Sequence, residues 1–233
     1  MNIYSKLWWL ALAALILAAS FLLTPLPALL AVESNPAPVL IIDAGHGGRD
    51  GGAVAPDGVE ESDLNLDIAL RLNALAGFWG VDTVMTREGR DIDYPADAQT
   101  LAAMKKADQN QRLERIRAVP GGVLLSIHQN IYPAEAPRGI QVFFGPEPDS
   151  DQLAALMQTN LSAQLLPENR RVAEPIDEGI YLMRKTPCRA ILIECGFLSN
   201  PMDLENLESA VYREKLAAVM MASYLQYIRG TEL

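Results

Sequence analysis

Short apolar runs recur along the chain, and segments with helical periodicity separate most of them. The helical patterns cover residues 62–78, about 97–118, about 150–165 and 211–229. Alternating strands and helices favour a largely parallel sheet that is covered on both faces. The sequence therefore predicts an α/β fold. The apolar runs, rich in Val, Ile, Leu and Phe, are residues 39–43, 81–86, 122–127, 139–144 and 190–194.

Two local features refine this picture. The first helical pattern is expected to begin with Ser62 as its N-cap and to end near Phe78.

The two cysteines, Cys188 and Cys195, flank an apolar run. An extended segment of that length separates its ends by roughly 20 Å, whereas a disulfide needs Cα atoms within about 7 Å. We therefore expect no disulfide between them.

The N-terminal region, residues 1–34, differs from the rest of the chain. Lys6 precedes an apolar run over residues 7–23, which is at the lower limit of about 17 residues for a membrane span. A cleaved signal peptide and a retained membrane anchor both fit this pattern. Either alternative predicts an extracytoplasmic protein whose membrane contact is confined to residues 7–23. Residues 35–233, about 200 in number, suffice for one well-buried domain.

The charge of the chain limits the classes of partner. The formal net charge is -10. A nucleic acid would be repelled by such a protein, because its phosphates carry the same sign. We therefore expect no nucleic-acid partner.

The chemistry-bearing residues follow the apolar runs. The chain has two histidines, and His46 and His128 both lie where an apolar run meets a polar segment. Ligands of such sheets gather beyond the carboxyl ends of the strands. Zinc hydrolases commonly use three His or Glu ligands and leave a fourth position to water. His46, Glu61 and His128 supply such a set, and Glu194, at the end of another apolar run, is the candidate base. The alternative is that these are structural residues, with Glu194 in an ion pair.

Four segments, in this order, resemble the motifs of the zinc-dependent N-acetylmuramoyl-L-alanine amidases of the amidase-3 family. They are residues 42–48 (IDAGHGG), 61–66 (ESDLNL), 126–130 (SIHQN) and 193–201 (IECGFLSNP). The resemblance covers nearly the whole of the predicted domain, residues 35–233. It implies a mixed, mostly parallel sheet of about six strands with helices on both faces.

The same resemblance implies a site and a reaction. His46, Glu61 and His128 would bind Zn²⁺, and Glu194 would be the catalytic carboxylate. Glu60 is a neighbouring acid, but its spacing to the rest of the motif favours Glu61. The reaction implied is hydrolysis of the amide between N-acetylmuramic acid and L-alanine in peptidoglycan.

Further segments bear on the substrate. Residues 138–144 and 181–187 are most similar to the sporulation and germination amidases, which act on spore cortex. Asn130 and Arg138 are tentative substrate contacts at the edge of the groove. Arg138 would pair with a stem-peptide carboxylate, or it is a solvated surface arginine.

Other functions remain open at this level. A zinc carboxypeptidase that cuts inside the stem peptide would use the same ligands. A non-catalytic envelope scaffold on an amidase fold is a third reading. The interval between His128 and Glu194 is filled by predicted elements, so we expect no large blocking insertion. An envelope protein that acts as activator is left open.

Overall fold

The apolar runs form one sheet in the computed structural model, which describes residues 37–230. The six strands lie in the order β2-β1-β3-β6-β4-β5. Neighbours among β2, β1, β3 and β6 are parallel, whereas β4 is antiparallel to β6 and parallel to β5. The predicted α/β fold with a mixed, mostly parallel sheet is confirmed. The strands are β1 (Leu40–Ala44), β2 (Thr83–Met85), β3 (Val123–Asn130), β4 (Gln141–Phe144), β5 (Glu174–Pro175) and β6 (Arg189–Phe197).

Successive residues of a strand point to opposite sides of the sheet, so both faces carry apolar side chains. Helices cover both of these faces. Leu40 and Ile42 of β1 belong to the larger core, and Ile41 belongs to the smaller one. The larger core contains residues of α1, α3, α5 and α6, and the smaller core contains residues of α2 and α4. The helices are α1 (Glu61–Phe78), α2 (Leu101–Arg117), α3 (Ser150–Leu165), α4 (Tyr181–Lys185), α5 (Pro201–Glu208) and α6 (Ala210–Ile228).

The prediction that Ser62 caps α1 was wrong. The helix begins at Glu61, and Glu60 holds the N-cap position without a side-chain hydrogen bond. The backbone N–H of Glu61 donates to the carbonyl of Ala53 (2.8 Å), and that of Ser62 donates to the carbonyl of Gly51 (3.0 Å). Carbonyls of the preceding loop thus satisfy helix N–H groups that a capping side chain would otherwise serve.

Strand β6 continues beyond the apolar run that predicted it. His128 pairs with Glu194, but Asn130 pairs with Phe197, so β6 carries one extra residue in this interval. This bulge keeps Glu194 and Phe197 on the same face of the sheet. Cys195 packs in the larger core instead, and both cysteines are free and buried, as the sequence predicted.

Contacts group the described residues from Pro38 onward into one compact unit. Residues 1–34, with the predicted signal or anchor, lie outside the described residues. Within residues 37–230, no helix is both long enough and apolar enough to cross a membrane.

A buried carboxylate joins the elements that lead to the site. Asp43, on β1, is fully buried. It accepts hydrogen bonds from Thr86 (2.7 Å) after β2 and Ser126 (2.6 Å) on β3, and Arg112 on α2 lies 3.3 Å away. Burial raises the pKa of Asp43, but the charge of Arg112 and the hydroxyl donors outweigh it and hold the pKa below its usual value. Asp43 is therefore ionised, and it fixes the strands that lead to both histidines.

Replacing this carboxylate should destabilise the whole domain. Asp43→Asn leaves the guanidinium of Arg112 buried with one charged partner fewer, which typically costs about 3–5 kcal/mol of unfolding free energy. Urea unfolding followed by circular dichroism measures this loss. The control is Glu214→Gln, which removes the exposed partner of Arg71 and should cost less than about 1 kcal/mol. Equal losses in the two variants would contradict the role given to Asp43.

Candidate metal centre

The loop after β1 holds His46 in a fixed orientation. His46 has a φ of 59°, which is uncommon for a residue other than glycine. Its Nδ1 lies 2.9 Å from Oδ2 of Asp50, and Lys105 lies 2.8 Å from the other oxygen of Asp50. Burial lowers the pKa of His46, but the hydrogen bond to Asp50 and the charge of Glu61 outweigh it and raise that pKa. With Nδ1 held in this way, Nε2 faces the site.

Glu61 is the centre of the cluster. It opens α1 and is 3% exposed. Its Oε2 lies 3.4 Å from Nε2 of His46, and its Oε1 lies 2.9 Å from Nδ1 of His128. Backbone N–H groups of Ala53 (2.8 Å) and Gln129 (3.1 Å) also donate to this carboxylate. Burial opposes ionisation, but the hydrogen bond and charge of His128, together with the other donors, lower the pKa of Glu61 to about 2.

The three predicted ligands thus come together. One ligand atom each of His46, Glu61 and His128 lies within 4.8 Å of the others. Ligands at about 2.1 Å from a zinc ion would lie about 3.4 Å apart at tetrahedral angles. The donor set and its spacing therefore fit a divalent transition metal. Glu61, and not the neighbouring Glu60, belongs to this cluster.

Two glycines leave space for this cluster. A Cβ on Gly45 would lie 2.2 Å from Cε1 of His128, and one on Gly52 would lie 2.5 Å from Oε2 of Glu61. Gly52 also has a φ of 72°. Asn65 closes the arrangement, because its amide donates to the carbonyl of Gly45 (3.0 Å) and to Glu61 (3.2 Å). The backbone is therefore shaped around the side chains of the site.

Glu194 lies beside the cluster, and one of its carboxylate oxygens is unpaired among residues 37–230. It is the register partner of His128 on the adjacent strand. Its Oε2 is buried and makes no hydrogen bond to the described residues. Burial, with a smaller contribution from the charge of Glu61, raises the pKa of Glu194 to about 8. An unpartnered carboxylate in such a position is costly for the fold and points to a role in the site.

A cavity of about 250 Å³ contains these four side chains. Its walls include Arg112, which also holds Asp43, and Asp50. Sequence reasoning missed both residues, although an acid four positions after a histidine in a glycine-rich loop is a usable signal. It also did not place the segment 179–183 at the site; this segment covers one side of the cavity, and its last three residues begin the motif at 181–187.

The two tentative substrate contacts lie elsewhere. Asn130 ends β3, and its carbonyl accepts a hydrogen bond from Leu198 (2.8 Å). Arg138 forms an ion pair with Glu168 and lines a second cavity. The structure brings neither residue into the lining of the cavity that holds Glu194.

The fold and the site together define a class of protein. A mostly parallel α/β sheet presents two histidines and a carboxylate at the carboxyl ends of its strands, with a second acid beside them. Catalytic zinc sites of hydrolases use three protein ligands of these types. The arrangement is that of a metallohydrolase.

Comparisons with known proteins narrow the class to a family. The sequence pattern of the N-acetylmuramoyl-L-alanine amidase family matches residues 40–224. The germination-specific N-acetylmuramoyl-L-alanine amidase of Bacillus subtilis is 33% identical over 190 residues, which are 81% of this chain and 79% of that protein. The chain therefore belongs to the N-acetylmuramoyl-L-alanine amidase family, as its motifs predicted.

Solved structures agree with this assignment. The CwlD amidase of Clostridioides difficile, solved in complex with the GerS lipoprotein, has a TM-score of 0.79 and 31% identity. The match covers 83% of this chain and 100% of that one. The amidase AmiC2 of Nostoc punctiforme has a TM-score of 0.70 and 25% identity, with 83% of this chain and 98% of that one covered.

The glycine next to Glu61 offers a test of the site geometry. Gly52→Ala should weaken binding of a divalent transition metal at least tenfold, because its Cβ would collide with Glu61 and His46. Metal content after dialysis against a series of buffered metal concentrations measures this effect.

Gly58→Ala is the matched control. Gly58 also has a positive φ, 96°, but a Cβ there meets nothing within 4 Å. Both variants should lose about 1–2 kcal/mol of stability from backbone strain, and only Gly52→Ala should lose metal affinity. Equal metal affinities in the two variants would show that Gly52 does not shape the cluster.

Proposed function

We propose that the chain is a zinc-dependent amidase in which His46, Glu61 and His128 bind the metal and Glu194 is the catalytic carboxylate. One observation carries the proposal. The three ligand atoms lie within 4.8 Å of one another, and the buried, unpartnered Oε2 of Glu194 lies beside them. A proton acceptor outside the ligand set is what amide hydrolysis requires in addition to a metal.

Each side chain of the site has a separate role in the proposed reaction. Asp50 holds the Nδ1–H of His46, which leaves the Nε2 lone pair directed toward the ligand cluster. A bound zinc ion would lower the pKa of a water toward ~7 and polarise the scissile carbonyl. The positive charge of a bound ion would favour the carboxylate form of Glu194, which would then take a proton from the attacking water and give it to the leaving nitrogen. The fixed position of Glu194 on β6, opposite His128, sets its distance from the reacting atoms.

The proposed substrate is the bond between N-acetylmuramic acid and L-alanine in peptidoglycan. The similarity to a germination-specific amidase supports spore cortex as the place of action. Residues 35–233 would form the catalytic domain outside the cytoplasm, with residues 1–34 as signal or anchor. Because the CwlD amidase is solved with a lipoprotein, an envelope protein is a candidate activator of this chain too.

Substitutions should distinguish the two histidines, which would bind the metal, from Glu194, which would accept the proton. His46→Ala and His128→Ala should each lose bound zinc and activity, since two remaining ligands rarely hold the ion. Glu194→Gln should keep zinc and lower turnover about 10²–10⁴-fold, because it removes a proton acceptor of similar size. Zinc analysis by mass spectrometry beside an activity assay tests this. Zinc loss in Glu194→Gln as severe as in the histidine variants would contradict the proposed division.

The reaction itself is tested by its products. Digestion of purified peptidoglycan by the full chain should release intact stem peptides that begin with L-alanine. Mass spectrometry identifies them, and Glu194→Gln is the inactive control. Shortened stems still attached to muramic acid would show the alternative carboxypeptidase. Peptidoglycan left intact by the zinc-loaded chain, even with envelope proteins added, would support the non-catalytic scaffold.

A further inference from the structure

A second cavity, of about 400 Å³, is lined mainly by positive charge. The charged residues of the described chain that line it are Arg138, Arg170, Arg171 and Glu168. Three positive charges and one negative charge leave the cavity at +2, in a chain whose net charge is -10. A cleft of one charge sign concentrates ions of the opposite sign. This arginine cavity is therefore suited to an anion.

The register of the sheet places the arginine cavity next to the candidate metal centre. Gln141, which begins β4, is the partner of Glu194 on β6. Arg171 lies 3.4 Å from the Oε1 of Gln141, and Arg138 precedes Gln141 by three residues. Directly paired residues have Cα atoms about 5 Å apart. Arg171, which lines the cavity, therefore contacts a residue directly beside Glu194 on the neighbouring strand.

The bulge in β6 supports the same placement. It puts Phe197 on the face of the sheet that carries Glu194. The guanidinium of Arg171 lies over the ring of Phe197, 5.2 Å from its centroid. Cation–π contact holds this guanidinium at the end of the strand that carries the catalytic carboxylate. Arg171 thus links the cavity to the strand on which Glu194 lies.

The backbone around the arginines is braced. The buried carboxylate of Asp203 accepts hydrogen bonds from Gly139 (2.7 Å) and Phe197 (2.9 Å). The amide of Asn169 donates to the carbonyl of Ile140 (2.8 Å), and its oxygen accepts from the N–H of Arg171 (3.2 Å). These bonds tie the residues before β4 to the end of β6 and to the segment after α3. A ligand would meet groups that are already in place, which reduces the cost of ordering them.

The contacts that Arg138 and Arg170 make in this structure are weak, so a ligand can replace them. Its ion pair with Glu168 is between side chains that are 33% and 57% exposed, and such pairs contribute little free energy. Its other terminal nitrogen lies 3.0 Å from the sulfur of Met202, a weak acceptor. Arg170 is exposed, and one of its terminal nitrogens donates to the carbonyl of Pro167. A carboxylate that binds both arginines can displace these contacts.

We propose that the arginine cavity binds a carboxylate of the peptide leaving group. The proposal rests on the proposed function, because it assumes that the peptide runs from Glu194 toward β4. The contact of Arg171 with Gln141, the register partner of Glu194, places the cavity on that side of the site. Guanidinium groups bind carboxylates through paired, charge-assisted hydrogen bonds. The cavity thereby selects acidic stem peptides.

A binding experiment tests this without turnover. The full chain carrying Glu194→Gln is titrated with a soluble disaccharide–peptide fragment of peptidoglycan, and with the same fragment after its carboxylates are converted to amides. Adding Arg138→Gln and Arg170→Gln should weaken binding of the acidic fragment about tenfold and leave binding of the amidated fragment unchanged. Arg171 is kept, because it also packs on Phe197. The control is Arg115→Gln, an exposed arginine of α2, which should bind both fragments like the parent.

The outcomes separate this proposal from the proposed function. A selective loss for the acidic fragment supports the arginine cavity as a carboxylate site. Equal loss for both fragments would assign the arginines to the fold or to another anion, and no loss for either would leave them outside the substrate path; both results overturn the proposal. If the proposed function is wrong, the chain with Glu194 intact will release no stem peptides from peptidoglycan.

Discussion

The ionised, fully buried carboxylate of Asp43 is the contact on which the site geometry depends. It joins β1 to β3 through Ser126 and to α2 through Arg112. His46 and His128 follow three residues after Asp43 and two residues after Ser126. Because a strand changes the direction of a side chain with every residue, a slip of one position between β1 and β3 would separate the two histidines. The Asp43 contacts oppose such a slip, because the buried carboxylate is paired with Arg112 and accepts hydrogen bonds from two hydroxyl groups on neighbouring strand segments.

The candidate metal centre, by contrast, contains an unpaired buried oxygen and a residue with an unfavourable backbone conformation. Glu61 accepts hydrogen bonds from the backbone and lies against both histidines, whereas Glu194 is left with a buried oxygen that has no partner among the described residues. His46 adopts a backbone conformation with positive φ. Strain and unpaired polar groups persist only where the surrounding structure enforces them, and they concentrate at functional sites. The stability supplied by the two cores supports a site that would not be stable alone.

The sequence predicted the strands that have a recurring apolar pattern and the site residues of a rare type, the two histidines. The apolar runs predicted five strands, and the two histidines with Glu61 and Glu194 predicted the site. The short β5, α4 and α5 were not predicted, because two, five and eight residues give little or no periodicity. The cap of α1 was misassigned, since the carbonyls of Ala53 and Gly51 that replace a capping side chain come from a loop without regular pattern. Arg138 was singled out from the sequence, but its grouping with Arg170 and Arg171 depends on contacts that only the folded chain creates.

The most direct test of the account is a crystal structure of the zinc-loaded chain with anomalous data collected at the zinc edge. The account predicts one anomalous peak between Nε2 of His46, the carboxylate of Glu61 and Nδ1 of His128, with Glu194 close to the ion but outside its ligand set. A peak at another place, or a zinc ion that Glu194 binds in place of one of the three ligands, would contradict it.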